Sequence, residues 1–352
     1  MKTSEFEYDL PAELIAQSPV EPRDSSRLFV VDRQNGAMQH CQFRDLPRFL
    51  HPGDLLIANE SRVIPARLFG KKVPSGGKVE LLLVSKRDEC LWEALIKPGR
   101  RLKPGATISI SAAVDGSQAA ASPVQAQVLA VLESGCRLLR FSAPIEPLLT
   151  QVGVMPLPPY IHMPLQDPER YQTVYARVRG SVAAPTAGLH FTPALIDQLG
   201  AAGVEFAFVT LNISLDTFRP VQEELVQDHQ MYSEYCELPE QTCMAINRAR
   251  HEGRRVIAVG TTSVRVLETV GARLPRDDAP LAPFVGPTNL YIFPGFRFRV
   301  VDALLTNFHL PRSSLLMLTS AFAGLDLVKR AYAEAVRLRY RFYSFGDAML
   351  IA

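Results

Sequence analysis

The stretch VVDALLTNFHLPRSSLLMLTSAFAG (residues 300–324) is the most apolar part of the chain, and it decides how we interpret the fold. Four polar residues interrupt it in one short run: Asp302, Thr306, Asn307 and His309. A carboxylate or imidazole among so many apolar neighbours needs a partner, and a ligand would supply one. The alternative is that Asn307 and His309 only tie a buried loop to backbone groups.

The flanks of this stretch predict a strand followed by a helix. Phenylalanine, arginine and valine alternate over residues 296–301, which is typical of a strand. Pro311 stops the strand, Ser313 or Ser314 can cap a helix, and Gly324 ends it. The polar run therefore lies between a strand end and a helix start, where open α/β sheets place their ligand sites.

The rest of the chain predicts an α/β fold with a large mixed α/β domain and an inserted small antiparallel β-barrel domain. Buried strands are predicted at 28–31, 55–58, 204–211 and 256–259, and helices at 43–50, 192–200, 239–252, 264–270 and 327–341. Between them, short strands alternate with glycine-containing turns, which favours a small barrel. We expect residues 1–65 and 150–352 to form the large α/β domain and 66–149 the inserted barrel.

Length and composition exclude several classes of protein. The 352 residues favour two domains, with 47% hydrophobic and 21% charged residues as in folded proteins. No apolar run reaches the roughly 18 residues of a membrane span, and the acidic start lacks a signal region, so we expect a cytoplasmic protein with no membrane partner. Five scattered cysteines fit neither a disulfide framework nor a thiolate metal site. The net charge of +2 neither requires nor excludes nucleic acid.

Residues 260–263 carry the strongest indication of an anionic ligand. A predicted strand turns here directly into a helix through Gly260, Thr261, Thr262 and Ser263. Backbone N–H groups at a helix N-terminus, hydroxyls and the nearby Arg265 suit a carboxylate or phosphate. A threonine that merely caps the helix explains the same pattern.

Other polar groups occur in similar positions. In the run APTAGLH, Thr186, Gly188 and His190 combine close backbone approach with one imidazole, although a lone histidine is more often structural. Asp302 with His309 can form an acid/base pair or a plain buried salt link. Two further groups flank predicted strands and are weaker candidates: Arg23 and Asp24, and Asn59 and Arg62. We expect all of these groups to converge on one cleft.

Long motifs then give the chain a resemblance to a known family. They are PRDSSRL (22–28), GDLL (53–56), RVIPARLFG (62–70), MPLPPYI (155–161), YQTVY (171–175), VAAPTAGLHF (182–191), VIAVGTTSVR (256–265) and residues 300–324. With these motifs, the chain resembles the S-adenosylmethionine:tRNA ribosyltransferase-isomerase family of queuosine synthesis over nearly its whole length. The resemblance implies the same α/β fold with an inserted barrel.

It also implies a reaction: the ribosyl part of S-adenosylmethionine moves onto a 7-aminomethyl-7-deazaguanine at the wobble position of tRNA and rearranges to epoxyqueuosine, releasing adenine and methionine. We assign proton transfer to His190 and His309, and orientation of the ribose or amine to Asp302 and Asn307. The 260–263 turn and Arg265 would hold the methionyl carboxylate or an RNA phosphate. S-adenosylmethionine is then a cosubstrate, tRNA the partner, no metal or redox cofactor is expected, and the protein is expected to be a monomer.

The chain departs from the family pattern at three positions where the family usually has histidine: Val154, Asn212 and Tyr232. Either these imidazoles are not catalytic in the family, or this member has altered activity. Two alternatives therefore stay open. One is a divergent relative that binds tRNA or a nucleoside without turnover. The other is an S-adenosylmethionine-dependent methyltransferase, against which the absence of a glycine-rich nucleotide loop counts.

Overall fold

The computed structural model describes residues 1–110, 124–132, 135–213 and 221–352. The chain divides into two compact units: Met1–Arg62 with Pro158–Val178 and Ala184–Ala352, and Val63–Leu157 with Arg179–Ala183. The strands, in chain order, are β1 Arg27–Val31, β2 Met38–Gln42, β3 Leu55–Asn59, β4 Ser61–Val63, β5 Arg67–Val73, β6 Lys78–Lys86, β7 Leu91–Lys97, β8 Thr107–Ile110, β9 Gln125–Val131, β10 Arg137–Phe141, β11 Gly153–Val154, β12 Val178–Ser181, β13 Glu205–Leu211, β14 Glu234–Leu238, β15 Val256–Val259, β16 Phe284–Thr288, β17 Ala303–Asn307 and β18 Ala348–Ile351. The helices are α1 Leu149–Val152, α2 Pro193–Ala201, α3 Glu240–His251, α4 Thr261–Gly271, α5 Ser314–Ala323 and α6 Leu325–Arg337.

The larger unit is built on one mixed sheet of nine described strands. Their order is β16-β14-β13-β3-β15-β17-β18-β1-β2. The central strands β13, β3, β15 and β17 run parallel, so their carboxyl ends lie at the same edge. Because β18 runs antiparallel to β17 and parallel to β1, the residues that precede β18 and β1 reach this edge too.

The direction of chain progression reverses at β3. From β3 the chain goes to β13 on one side, then returns to β15 and β17 on the other. Such a reversal leaves a crevice outside the carboxyl ends of the strands, because the connections leave in opposite directions. The topology therefore places a ligand site beyond β3 and β15.

The central strands are apolar on both faces because both faces are covered. Every residue of β3, β15 and β17 is buried, as expected for parallel strands between helical layers. Helix α2 and the 3-10 helix Phe43–Phe49 pack on one face. Helices α3 and α4 contact the same strands as well. Since successive side chains on a strand point to opposite faces, a continuous apolar run is what this layering requires.

The second unit contains a closed barrel of six described antiparallel strands. Its order is β5-β6-β7-β10-β9-β8, and β8 pairs with β5 to close it. Alternate residues of β6 and β7 are buried, which fills the barrel interior. The predicted fold class, mixed α/β with a small antiparallel barrel, is confirmed. Strands β4 and β12 pair with each other.

The strand predicted over residues 296–301 is wrong, since the extended structure begins only at Ala303. The physical reason is that a side-chain carboxylate, and not the backbone of a neighbouring strand, accepts the hydrogen bonds of this segment. Glu268 in α4 accepts hydrogen bonds from the backbone N–H groups of Arg299, Val300 and Val301 at 2.9, 3.0 and 3.1 Å. These three N–H groups are therefore satisfied without hydrogen bonds to a neighbouring strand.

The predicted start and end of helix α5 are confirmed. The Ser313 hydroxyl accepts a hydrogen bond from Leu316 N–H at 3.1 Å and caps α5. Gly324 ends α5 with φ 89°, a conformation that favours glycine. Helix α4 begins at Thr261, three residues before the predicted start at 264, so the threonines belong to its first turn.

Candidate functional site

A pocket of about 620 Å³ lies at the carboxyl edge of the parallel strands in the larger unit. Segments that follow β13, β15 and β17, together with the segment before β18, form its walls. The lining residues are Tyr160, Ala184, Pro185, Thr186, Ala187, Ile213, Gly260, Thr261, Thr262, Thr306, Asn307, Phe308, His309, Leu310, Ser313, Leu315, Tyr343 and Ser344.

The N-terminus of α4 opens onto this pocket. Gly260 precedes the helix with φ 88°, a value that would strain any residue with a Cβ atom. No side chain caps the helix, and the N–H groups of its first turn have no partner within the helix. The Thr262 hydroxyl is buried and has no hydrogen-bond partner in the described part of the chain. Free N–H groups beside an unpaired hydroxyl suit an anionic group.

Asn307, the last residue of β17, organises the neighbouring wall. Its Oδ1 accepts a hydrogen bond from Thr186 at 3.0 Å. Its Nδ2 donates to His190 Nε2 at 3.1 Å and approaches two backbone carbonyls, of Tyr343 at 3.3 Å and Asp347 at 3.5 Å. Because the Tyr343 and Asp347 carbonyls can only accept, they fix the amide orientation with Nδ2 as the donor.

This network also sets the protonation of His190. Since Nε2 accepts from Asn307, the proton resides on Nδ1, which donates to Ser26 Oγ at 2.7 Å. Burial, with smaller contributions from Arg341 and Arg23, lowers the pKa of His190 to about 3. Both ring nitrogens therefore bind protein groups. The structure places His190 behind Asn307, outside the residues that line the pocket, which corrects the expectation that both histidines face the ligand.

His309 does line the pocket. Its Nε2 bonds to Thr306 Oγ1 at 2.9 Å, and its backbone N–H donates to Tyr332 Oη at 3.0 Å. Within the described residues, no hydrogen-bond partner is found for Nδ1. Burial lowers the pKa of His309 to about 3, so the ring is neutral at pH 7. His309 is therefore the one histidine that combines contact with the pocket and a ring nitrogen open to a ligand.

The two neutral histidines predict acid sensitivity. Both have folded-state pKa values near 3 and ordinary values of 6.5. Below about pH 6.5 the unfolded chain takes up these protons and the folded chain does not, so the free energy of unfolding falls as the pH is lowered towards 3. Each histidine contributes at most about 1.4 kcal/mol per pH unit. Urea denaturation between about pH 7 and about pH 5 measures the slope. His309→Gln should make it shallower, and an unchanged slope contradicts the assignment.

Arg265 does not reach the pocket. Its guanidinium forms an ion pair with Glu234, and its Nε donates to the Leu290 carbonyl at 3.1 Å. Both charged side chains are almost fully buried, at 3% and 2% exposed. Five residues after Gly260, the helix has already turned this side chain away from its N-terminus. The predicted anion-binding role of Arg265 is therefore corrected to a buried ion pair.

Asp302 and His309 are not brought together. Asp302 precedes β17 and His309 follows it, so the length of the strand, roughly 16 Å, separates them. The Asp302 carboxylate accepts a hydrogen bond from Val256 N–H at 2.8 Å, at the start of β15. Burial raises the pKa of Asp302. The expected acid/base pair is therefore absent, and Asp302 connects two strand beginnings.

Asn59 and Gly188 serve the protein's own packing. Asn59 is fully buried, and its side-chain amide bonds to the backbone of Ser61 and Leu211. A Cβ atom at Gly188 would lie 2.1 Å from the Tyr175 hydroxyl, so a glycine is required by that ring. Neither residue lines the pocket.

The charged residues Arg23, Asp24 and Arg62 do not line the main pocket. Arg23 donates to the carbonyls of Gln172 and Glu169, and it lines a smaller pocket of about 260 Å³ together with His190. The Asp24 carboxylate accepts a hydrogen bond from the Thr192 hydroxyl at 3.1 Å, and Arg62 pairs with Glu169. Each of the three charged side chains has a partner within the protein, and none of them lines the main pocket.

Sequence reasoning missed the aromatic part of the site. Tyr160 and Tyr343 line the pocket with their ring centroids 4.4 Å apart, and the Tyr160 hydroxyl bonds to Ser344 Oγ at 2.7 Å. Tyr160 belongs to the proline-rich segment, and Tyr343 to the irregular segment before β18. Neither position carries a periodic signal. Their proximity depends on the pairing of β18 with β17.

Two of the three positions with a missing family histidine can be compared with the pocket of the larger unit. Neither Asn212 nor Tyr232 lines it, and Tyr232 is exposed. Val154 belongs to β11 of the barrel unit.

Within the described ranges, no group of three His, Cys, Asp or Glu side chains could hold a metal ion. No described helix is both long and apolar enough to span a membrane.

The chain is similar to known proteins over its full length. The family described as "Queuosine biosynthesis protein" matches residues 3–351. The S-adenosylmethionine:tRNA ribosyltransferase-isomerases of Symbiobacterium thermophilum and Thermotoga maritima are 53% and 50% identical to this chain, with 100% of each chain covered. The crystal structure of the S-adenosylmethionine tRNA ribosyltransferase from Thermotoga maritima covers 99% of this chain and 100% of its own, with a TM-score of 0.56 and 42% identity. The chain therefore belongs to the queuosine biosynthesis protein family.

Proposed function

We propose that the protein is an S-adenosylmethionine:tRNA ribosyltransferase-isomerase. It transfers the ribosyl part of S-adenosylmethionine to the aminomethyl group of the deazaguanine wobble base and rearranges it to epoxyqueuosine. Adenine and methionine leave. The full-length identity of about half the residues to proteins of that name supports this activity.

The observation that carries the proposal is the uncapped N-terminus of α4 with the unpaired Thr262 hydroxyl. Leaving a buried hydroxyl without a partner destabilises a protein by about 1–3 kcal/mol, so a ligand group is its natural complement. The methionyl carboxylate of S-adenosylmethionine fits, because it accepts several hydrogen bonds and its charge is favoured at a helix N-terminus.

The adjoining wall suits the ribose and the reacting groups. The Thr186 hydroxyl and the Asn307 amide are held in one orientation by their mutual hydrogen bond. His309 adds a neutral imidazole, the form that can accept a proton from the carbon beside the sulfonium. His190 acts through Asn307, whose amide it orients. In this arrangement His309 transfers the proton, and His190 is a positioning residue.

The partners follow from the same reaction. The protein binds S-adenosylmethionine as cosubstrate and a tRNA that carries the precursor base, and it acts as a cytoplasmic monomer. It needs no metal or redox cofactor, since the sulfonium supplies the driving force. The barrel unit forms a separate inserted domain.

Incubation of the protein with S-adenosylmethionine and precursor-bearing tRNA tests the activity. We expect stoichiometric adenine and methionine, with epoxyqueuosine in the tRNA. S-adenosylhomocysteine as the product would instead identify a methyltransferase. Absence of turnover together with measurable binding of cosubstrate or tRNA would identify a binding protein that has lost activity.

Thr262→Val tests the anion site. The change removes the unpaired hydroxyl and keeps the shape, so we expect the Kd for S-adenosylmethionine to rise about 10-fold or more, as for a lost hydrogen bond to a charged group. Stability should not fall, because the hydroxyl has no protein partner in the described residues. Calorimetry measures the affinity.

Thr173→Val is the matched control. The Thr173 hydroxyl is also buried without a hydrogen-bond partner in the described chain, but it does not line the pocket. Its replacement should leave the Kd unchanged. Equal affinities for wild type and Thr262→Val would place the carboxylate elsewhere.

A further inference from the structure

A second buried hydroxyl without a protein partner belongs to a residue that lines the pocket. Tyr343 is 5% exposed and lines the pocket, and among the described residues nothing hydrogen-bonds to its Oη. Buried phenol groups normally find a partner, since an unpaired one loses its hydrogen bonds to water. A ligand in the pocket is the partner that this geometry leaves open.

The backbone of Tyr343 is held in a conformation that is unfavourable for a bulky residue. Tyr343 has φ 72°, in the left-handed region that bulky residues rarely adopt. Its carbonyl accepts from Asn307 Nδ2 at 3.3 Å, and its N–H donates to the Phe308 carbonyl at 3.2 Å. Both contacts tie Tyr343 to the end of β17. Residues in such conformations persist where the surrounding structure fixes them, often at ligand sites.

The surroundings of the Tyr343 side chain suit a planar heterocycle. The rings of Tyr343 and Tyr160 lie 4.4 Å apart and tilted by 52°, and both line the pocket. Phe308, Leu310 and Leu315 add apolar surface. Aromatic and apolar walls bind flat ring systems, while one polar group at the edge selects among them. Burial raises the pKa of the Tyr343 phenol, so it remains a hydrogen-bond donor at neutral pH.

We propose that the Tyr343 hydroxyl donates a hydrogen bond to a ring nitrogen of the adenine of bound S-adenosylmethionine, and so assists its departure. This inference rests on the proposed function. When the glycosidic bond breaks, its electron pair stays on adenine, and a donor at a ring nitrogen stabilises the developing charge. Tyr343 keeps its proton. The proton that adenine finally carries balances the one removed from the ribosyl carbon, so no outside acid is required.

Tyr343→Phe tests the role, with adenine release as the readout. The variant keeps the ring and removes only the hydroxyl, so we expect kcat for adenine release to fall about 100-fold, the lower end of the effect of removing one such donor. The free energy of unfolding should not decrease, because the hydroxyl has no protein partner in the described chain. A lower stability with an unchanged kcat would indicate a structural role and overturn the proposal.

Tyr175→Phe is the matched control. The Tyr175 hydroxyl is likewise buried without a hydrogen-bond partner among the described residues, but it packs against Gly188 and does not line the pocket. Its removal should leave kcat unchanged. An equal loss in both variants would mean that removal of any buried phenol hydroxyl slows the enzyme, which contradicts a specific contact.

Cosubstrates in which CH replaces N at position 1, 3 or 7 of adenine identify the contacted atom. The analogue that lacks the contacted nitrogen should slow the wild-type protein as much as Tyr343→Phe slows turnover of the natural cosubstrate. The same analogue should not slow the Tyr343→Phe variant any further, because the hydrogen bond is already lost. Additive losses with all three analogues would overturn the contact with adenine. A wild-type protein that releases no adenine would instead refute the proposed function itself.

Discussion

Replacement of His309 by alanine is expected to lower kcat for adenine release by about 100-fold, towards the lower end of the range for general acid–base catalysis. His309 lines the pocket, and its Nδ1 is without a hydrogen-bond partner among the described residues. The effect is at the lower end because burial lowers the pKa of the ring to about 3, and a weak base abstracts protons less effectively.

A second variant at this position distinguishes proton transfer from simple contact with the substrate. His309→Gln can still hydrogen-bond to Thr306 but cannot carry a proton, so it should be as slow as alanine. The Kd for S-adenosylmethionine should change by only a few fold in both variants. Full activity of the glutamine variant would assign His309 to orientation and require another base.

Arg265→Met is expected to destabilise the protein by about 3–5 kcal/mol, as when one partner of a buried ion pair is removed. The methionine leaves the Glu234 carboxylate buried without the guanidinium that lies against it. A residue that binds only substrate would produce the opposite pattern, with weaker binding and unchanged stability. Urea denaturation measures the difference in the free energy of unfolding.

The double variant Arg265→Met with Glu234→Leu provides the control. Because it removes both charges and fills the space with apolar groups, we expect it to regain most of the lost stability. It should also bind S-adenosylmethionine with nearly the wild-type Kd, since neither residue lines the pocket. Loss of cosubstrate binding in a stable double variant would restore Arg265 to the site.

Local sequence patterns predicted the central elements because their signals lie within a few residues. Strand β15 occupies the predicted residues, Val256–Val259, since a short apolar run before a glycine has few alternatives. The cap of α5 at Ser313 was predictable for the same reason, as a hydroxyl before an apolar helix. The region around 296–301 misled, because the carboxylate of Glu268, distant in sequence, takes the hydrogen bonds that a strand would have used.

The candidate site was only partly predictable. Thr186, Asn307, His309 and the turn at Gly260 were recognised as polar groups at strand ends, and they do line one pocket. Arg265 is as close in sequence to Gly260 as Asp302 is to Asn307, yet neither side chain reaches the pocket. Arg265 pairs with Glu234, and Asp302 accepts a hydrogen bond from Val256. The direction of a side chain depends on its phase within a helix or on which end of a strand it occupies, and neither follows from polarity.

The sequence by itself determined the order of strands and helices and the polar groups that end them, because hydrogen bonding and apolar periodicity act between near neighbours. The tertiary structure alone decided which of those groups meet. The pairing of β18 with β17 brings Tyr343 to Asn307, 36 residues away, and the parallel alignment of β15 with β17 brings Gly260 to the same edge. Such encounters arise from the packing of the whole sheet, and no local pattern contains them.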